Sequence, residues 1–219
     1  MIAQESNQTV IRISAALKWV GIVAGVWAVL TVSAATLAYL PEHPGFSLFT
    51  TYLSDIGDTA VWPQIIFNAG TLIAAPMRYL VVVLLALRLV QLGAGRGFVV
   101  ATLIVGLIST AGTVLMTAVP FSVSLAVHKL GIPLYFVGVV VLQTLIGVRE
   151  WSLGGISKIL PGLSFVMVVV YFVFATLMVL SEQGTVGRND PVFWEWLAFF
   201  SSVLWLFAHG ILLGKVAAV

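Results

Sequence analysis

The tract Tyr52-Leu53-Ser54-Asp55-Ile56-Gly57-Asp58 gathers a hydroxyl and two carboxylates in a chain that carries few charges. A serine, a histidine and a carboxylate are the parts of an acyl-transfer site. Ser54 would be the nucleophile, His128 the base, and Asp55 or Glu195 the carboxylate that orients it. Asp58 and Asn68 are further polar candidates, for holding a substrate. Ser, Asp and Gly are also ordinary turn residues: their side chains bond the local backbone, and glycine accepts positive φ. Neither proximity nor an oxyanion hole can be read from spacing alone. A catalytic role and a capped surface turn are both consistent with the tract.

Other chemistries are disfavoured by residue type. Cysteine is absent, which removes disulfides, thiolate catalysis and Cys-ligated metals. His43, Asp55, Asp58, His128 and Glu195 could surround a cation, but no His-x-x-x-His or Glu-x-x-His pair sits on one helix, and no metal site is expected. His128 and His209 fall at opposite ends of their helices, too far apart for a shared haem. No cofactor is expected.

A second polar layer is formed by Arg78 and His209. Each lies about 21 Å from the same end of its helix at 1.5 Å per residue, so a shared pocket is expected, with no carboxylate at that level. Arg78 would bond backbone carbonyls, water or a lipid phosphate there. Pro76, which frees a carbonyl one turn earlier, would help. The alternative is that the Arg78 side chain snorkels to the interface.

The elements that must position these groups are unambiguous. Of 219 residues 61% are hydrophobic and 8% charged, with mean hydropathy +1.14. A soluble domain carries about 25% charged residues, so this is an integral membrane protein with no sizeable soluble domain. No basic run exists for nucleic acid. The apolar runs are apolar on every face, as in Val81–Leu87, which excludes a β-barrel. The fold expected is all-α and polytopic: a single domain, 1–219, with six spans near 17–40, 65–92, 97–119, 126–148, 159–181 and 193–216. Pro41, Pro44 and Pro63 bracket the first loop. Gly93, Gly95 and Gly97 make the second turn, Pro120 closes the third span, and Pro191 opens the sixth. The first run is too long for a cleaved signal peptide.

Arg12, Lys18, Arg88, Arg96, Arg149, Lys158 and Lys215 fall on one side of such a bundle, against Lys129 and Arg188 on the other. Both termini are therefore expected to be cytoplasmic. Asn68, His128 and Glu195 then start their spans at the non-cytoplasmic level of Ser54 and Asp55, and a shared site is expected there. No internal repeat of the kind found in many transporters is visible.

At these residues the chain resembles a six-span group that contains the damage-regulated autophagy modulators and lipid-remodelling proteins acting on GPI anchors. That group carries a Tyr-hydrophobic-Ser-Asp-x-Gly tract in its first non-cytoplasmic loop, as in Tyr52 to Gly57. Pro63, Phe67-Asn68, His128 with Gly131 and Tyr135-Phe136, and Glu195-Trp196 are similar in order and placement. The chain also resembles a prokaryotic six-span family of unknown function with a Leu-Ser-Asp-x-Gly loop followed by Phe-Asn-Ala-Gly, as in Phe67 to Gly70. The resemblance implies a six-span protein of lipid handling or remodelling, with membrane lipids as partners. Short loops point to a prokaryotic plasma membrane. The alternative is a non-catalytic scaffold, transporter or channel, for which a continuous polar path from Glu195 through Arg78 to His209 would speak.

Overall fold

The computed structural model describes residues 2–119 and 122–214, with side chains from residue 12 onward. The helices are α1 (Ile2–Tyr39), α2 (Leu53–Asp58), α3 (Trp62–Gln91), α4 (Arg96–Ala118), α5 (Leu125–Ser152), α6 (Ile159–Glu182) and α7 (Val192–Ala208). A 3-10 turn, Leu40–Glu42, follows α1, and a π-helical turn, His209–Leu213, continues α7. All but α2 are long and apolar enough to cross a membrane. In hydrocarbon each backbone N–H and C=O must be satisfied within the segment, and helices do this for such runs. Among the described residues there is no strand.

The helix ends follow the local sequence. At the end of α3, Gly93 has φ +99°, a conformation costly for any side chain. This lets Ala94 N–H donate to Leu89 O at 2.8 Å and Gly93 N–H to Val90 O at 2.9 Å, which satisfies the last carbonyls of α3. Gly184 ends α6 in the same way, with φ +72°. Pro63 stands in the first turn of α3, where its missing N–H costs nothing.

Each spanning helix packs on the next in sequence, and α7 with its π turn returns to α1, closing a ring of six. Short turns join consecutive neighbours, so the helices alternate in direction. The turns 92–95 and 153–158 mark one end of the bundle, the far end. The segment that carries α2 and the turn 183–191 mark the other, the α2 end. The tightest seam is α4 on α5. A Cβ on Gly112 would lie 2.4 Å from Tyr135 N and 2.8 Å from Gly131 O, so these two backbones touch. Small residues at such crossings drive helix association where lipid offers no hydrophobic gain.

The six expected spans recur with shifted ends. The first helix begins upstream of the apolar run, at Ile2. The fourth span was expected to end at residue 148, but α5 continues to Ser152 and carries Glu150 into the bundle, fully buried. Regular α-helix in the sixth ends at Ala208 and then widens. Pro120 and Lys215, used above as a helix stop and a topology marker, lie outside the described residues.

Candidate functional site

At the α2 end a polar clasp holds the short helix in place. Tyr52 N–H donates to Asp55 Oδ2 at 3.0 Å, a turn-closing bond across the start of α2. From the first turn of α7, Glu195 Oε2 accepts from Leu53 N–H at 2.6 Å. Asp55 is doubly bonded by Arg188, whose Nη2 lies 2.9 and 3.0 Å from its two oxygens. Tyr52 O–H donates to Arg188 O at 2.5 Å, and Trp196 Nε1–H to Thr51 O at 2.9 Å. Asn68 Nδ2–H donates to Gly57 O at 2.9 Å, tying α2 to α3. Ile56 is wholly buried beneath. Burial, and then the nearby charge of Glu195, push the Tyr52 phenol up to about 12, with Arg188 opposing.

Beneath α2 is a cavity of about 520 Å³, inside the roughly 300–1,000 Å³ of ordinary small-molecule sites. Its wall is mainly apolar, with Phe67, Phe136, Phe174 and Phe199 prominent. Ser54, Asp58, Asn68, Arg78, His128 and Glu195 interrupt it. Six of the eight residues singled out by sequence thus border one space. Asp55 and His209 do not line it.

The hydrogen bonds decide what each residue is engaged in. His128 Nδ1–H donates to Met116 O at 3.0 Å, and Val119 O stands at 3.3 Å. The Met116 carbonyl thus orients the Nδ1 edge of the ring. Asp58 Oδ1 accepts from Ser122 Oγ–H at 2.6 Å. Ser54 meets a carboxylate through its backbone, which hydrogen-bonds Glu195 beside Leu53. His43 stacks on Tyr39 with ring centres 3.8 Å apart, and its Nδ1–H donates to Tyr39 O at 3.1 Å. Among the described residues no three His, Asp or Glu side chains gather as a metal site would require.

Arg78 Nη2–H donates to Thr113 Oγ1 at 2.6 Å, and the guanidinium sits 4.9 Å from the centre of the Tyr135 ring. Thr113 is five residues from the end of α4, which puts the cation about 7.5 Å below that end. Counted from the start of α3, Arg78 is 16 residues, about 24 Å, along the backbone, and α4, with 23 residues against 30, ends lower than α3 begins. A helical side chain leans toward its own N-terminus, here the α2 end. Among the described residues no carboxylate is in ion-pair reach of Arg78. From Tyr135 a row of hydroxyls continues: Tyr135 Oη to Tyr171 Oη at 2.8 Å, then Tyr171 Oη to Ser202 Oγ at 2.7 Å. A second cavity of about 30 Å³ follows, lined by Arg78, Ser109, Gln143, Tyr171 and Ser202 among others. Gln143 Oε1, buried beside it, has no partner among the described residues. The wall is mostly apolar, and a space of this size has room for about one water beside Gln143.

The pairing of Arg78 with His209 in one pocket does not hold. His209 is fully buried at the far end and lines neither cavity. Its Nδ1–H donates to Trp205 O at 2.9 Å, while Nε2 lies 3.1 Å from Glu150 Oε1. Because Nδ1 already carries a proton, contact at Nε2 requires another, on either the ring or the carboxyl. The expectation of no carboxylate at this level is overturned by Glu150, which the longer α5 brings inside. The pattern was present in the sequence. Val139, Gln143, Ile146 and Glu150 recur at four, three and four residues, one stripe of a helix, and all four are buried. Thr113 and Tyr135, the partners of Arg78, had no such signal.

No protein-family model, curated protein or solved structure matches the chain.

Proposed function

We propose that this integral membrane protein binds a lipid-like amphiphile with an anionic group in the cavity under α2, and so acts in lipid handling. The observation that carries the reading is Arg78, a cation set into a largely apolar wall with no carboxylate in reach among the described residues. A buried charge is costly unless paired, and an anionic head with an apolar body answers both features. The resemblance of Tyr52 to Gly57, Phe67-Asn68, His128 and Glu195-Trp196 to lipid-remodelling six-span proteins agrees in direction. The reading is of binding. Ser54 and His128 border the cavity as candidates for chemistry, and no reaction is assigned to them. The lysine and arginine distribution supports placing the α2 end on the non-cytoplasmic side, and the short loops support a prokaryotic plasma membrane.

Passage of a solute is the second reading, favoured by the row of hydroxyls from Tyr135 to Ser202. It is weaker because the path does not reach His209. The Trp205 ring, which borders the small cavity, lies tilted against His209 at 4.1 Å between centres.

Native mass spectrometry of the purified protein tests the first reading. An anionic amphiphile should remain bound, and Arg78→Leu should lower its occupancy about tenfold or more, the loss expected of one charge-assisted contact. Binding of zwitterionic lipid alone, or equal occupancy in the variant, would refute it. Ion or solute flux in proteoliposomes that survives full lipid occupancy would favour transport.

A further inference from the structure

The cavity under α2 is not closed on all sides. Among the residues that line it, the exposed ones are Pro133, Val137, Val179 and Glu182. All four belong to α5 or α6. Val137 is 60% and Val179 53% exposed although both also face the cavity. On α5, Lys129, Pro133 and Val137 recur every four residues and form one stripe. On α6, Val179 and Glu182 are three apart and form the other. At the top of the gap Lys129 Nζ lies 3.5 Å from Glu182 Oε1, an exposed ion pair that joins the two helices.

The opening has a local cause. Toward the far end, α5 and α6 approach closely: a Cβ on Gly147 would meet Ser164 Cβ at 3.1 Å. Lower in the gap the helices are spaced by rings, with Phe136 and Phe174 5.0 Å apart between centres and Phe136 and Tyr171 5.6 Å. Above those rings α5 presents Pro133 and α6 presents Val179, and no bulky pair fills the space between them.

From this geometry we infer that the α5–α6 gap is a lateral portal through which a membrane amphiphile enters the cavity, its anionic head inside on Arg78 and its acyl chain in the gap. The inference rests on the lipid-binding reading above and adds the route and the pose. The levels agree. Arg78's guanidinium, at Thr113, is about 7.5 Å below the end of α4. Val137 is 12 residues, about 18 Å, along α5. A head at the first level leaves its chain to descend past Val137 among bilayer chains. Lys129 at the threshold attracts an anionic head, and the Lys129–Glu182 pair must part or swing for the head to pass.

The test uses the absence of native cysteine. V137C, V179C and, as a control, L107C on α4 are purified folded and alkylated with a bulky maleimide. Leu107 is 55% exposed and lines neither cavity. Each protein in phosphatidylcholine nanodiscs is offered a fluorescent anionic phospholipid or a fluorescent fatty acid, and the loading rate is read by energy transfer from tryptophan. Blocked V137C and V179C should load about tenfold more slowly or worse, as gated binding requires, while blocked L107C matches the unlabelled protein. E182Q, which removes the tie and keeps the Lys129 charge, should load faster. Loading of only one probe identifies the amphiphile class. Equal rates in all three blocked proteins would overturn the portal while leaving lipid binding intact. Failure of the unlabelled protein to load either probe would overturn the lipid reading and the portal with it.

Discussion

The two ends of the bundle use the same kinds of residue to opposite effect. At the far end, Arg88, Glu150 and His209 are fully buried, and neither His209 nor Glu150 lines either cavity described above. At the α2 end, Arg78, His128, Asn68 and Glu195 border a volume of about 520 Å³. Buried pairs rarely add net stability, but breaking one leaves a stranded charge. Polar groups that border a space can exchange protein partners for a ligand. The far end is therefore a place where substitutions damage the fold, and the α2 end one where they change what is bound.

The largest effect should come from Glu150→Ala, which removes the partner of the buried His209. Unfolding in detergent should show a loss of about 3–5 kcal/mol. A Glu150→Leu, His209→Phe double variant should recover much of it. A silent Glu150→Ala would erase the distinction between the ends. Next is Glu195→Ala, which strips the acceptor from Leu53 N–H and loosens α2. About 1–3 kcal/mol is expected for the unsatisfied donor, read as earlier melting and faster proteolysis of the 43–61 segment. Glu195→Gln, which keeps an acceptor oxygen, should cost less.

A smaller effect is tied to pH. The Tyr52 phenol titrates near 12 in the folded protein, against about 10 in an unfolded chain. The folded state thus holds this proton more tightly. The contribution is complete below pH ~10 and is lost as pH rises from about 10 toward 12. Tyr52→Phe should flatten that part of the stability profile, and an unchanged profile would mean that another group dominates. The smallest stability effect should be that of Arg78→Leu, within about 0.5 kcal/mol, although the same variant should lose the anionic ligand. A large loss of stability there would make Arg78 a fold residue and move the α2 end toward the far end in character.

The spans were legible because runs of about 20 apolar residues allow one structure in a bilayer. The gathering of Asn68, His128 and Glu195 at one level was legible too, since each opens a helix at the same end. Their bonds were not. Glu195 is occupied by Leu53, and His128 by the carbonyls of Met116 and Val119, partners that belong to the backbone and carry no sequence signal. The partners of Arg78 were not legible, because the reach and lean of a long side chain decide which neighbours it meets. Glu150 was overlooked because the fourth span was ended at residue 148, while the stripe of Val139, Gln143 and Ile146 continues through it. The opening between α5 and α6 is an absence of packing, which no residue pattern announces.

The contact of Gly112 with Gly131 has a mechanical consequence. With backbone against backbone, α5 has no room to move toward α4 and little to gain by leaving it, so those two helices behave as a fixed post. Any widening of the gap must then come from α6. Its hydrogen-bonded hold on α5 nearest the gap is Tyr171 against Tyr135, eight residues from Val179, a lever arm of about 12 Å. On that arm a tilt of about 10° shifts Val179 by about 2 Å, enough to separate Lys129 from Glu182 while the far end of the bundle stays still.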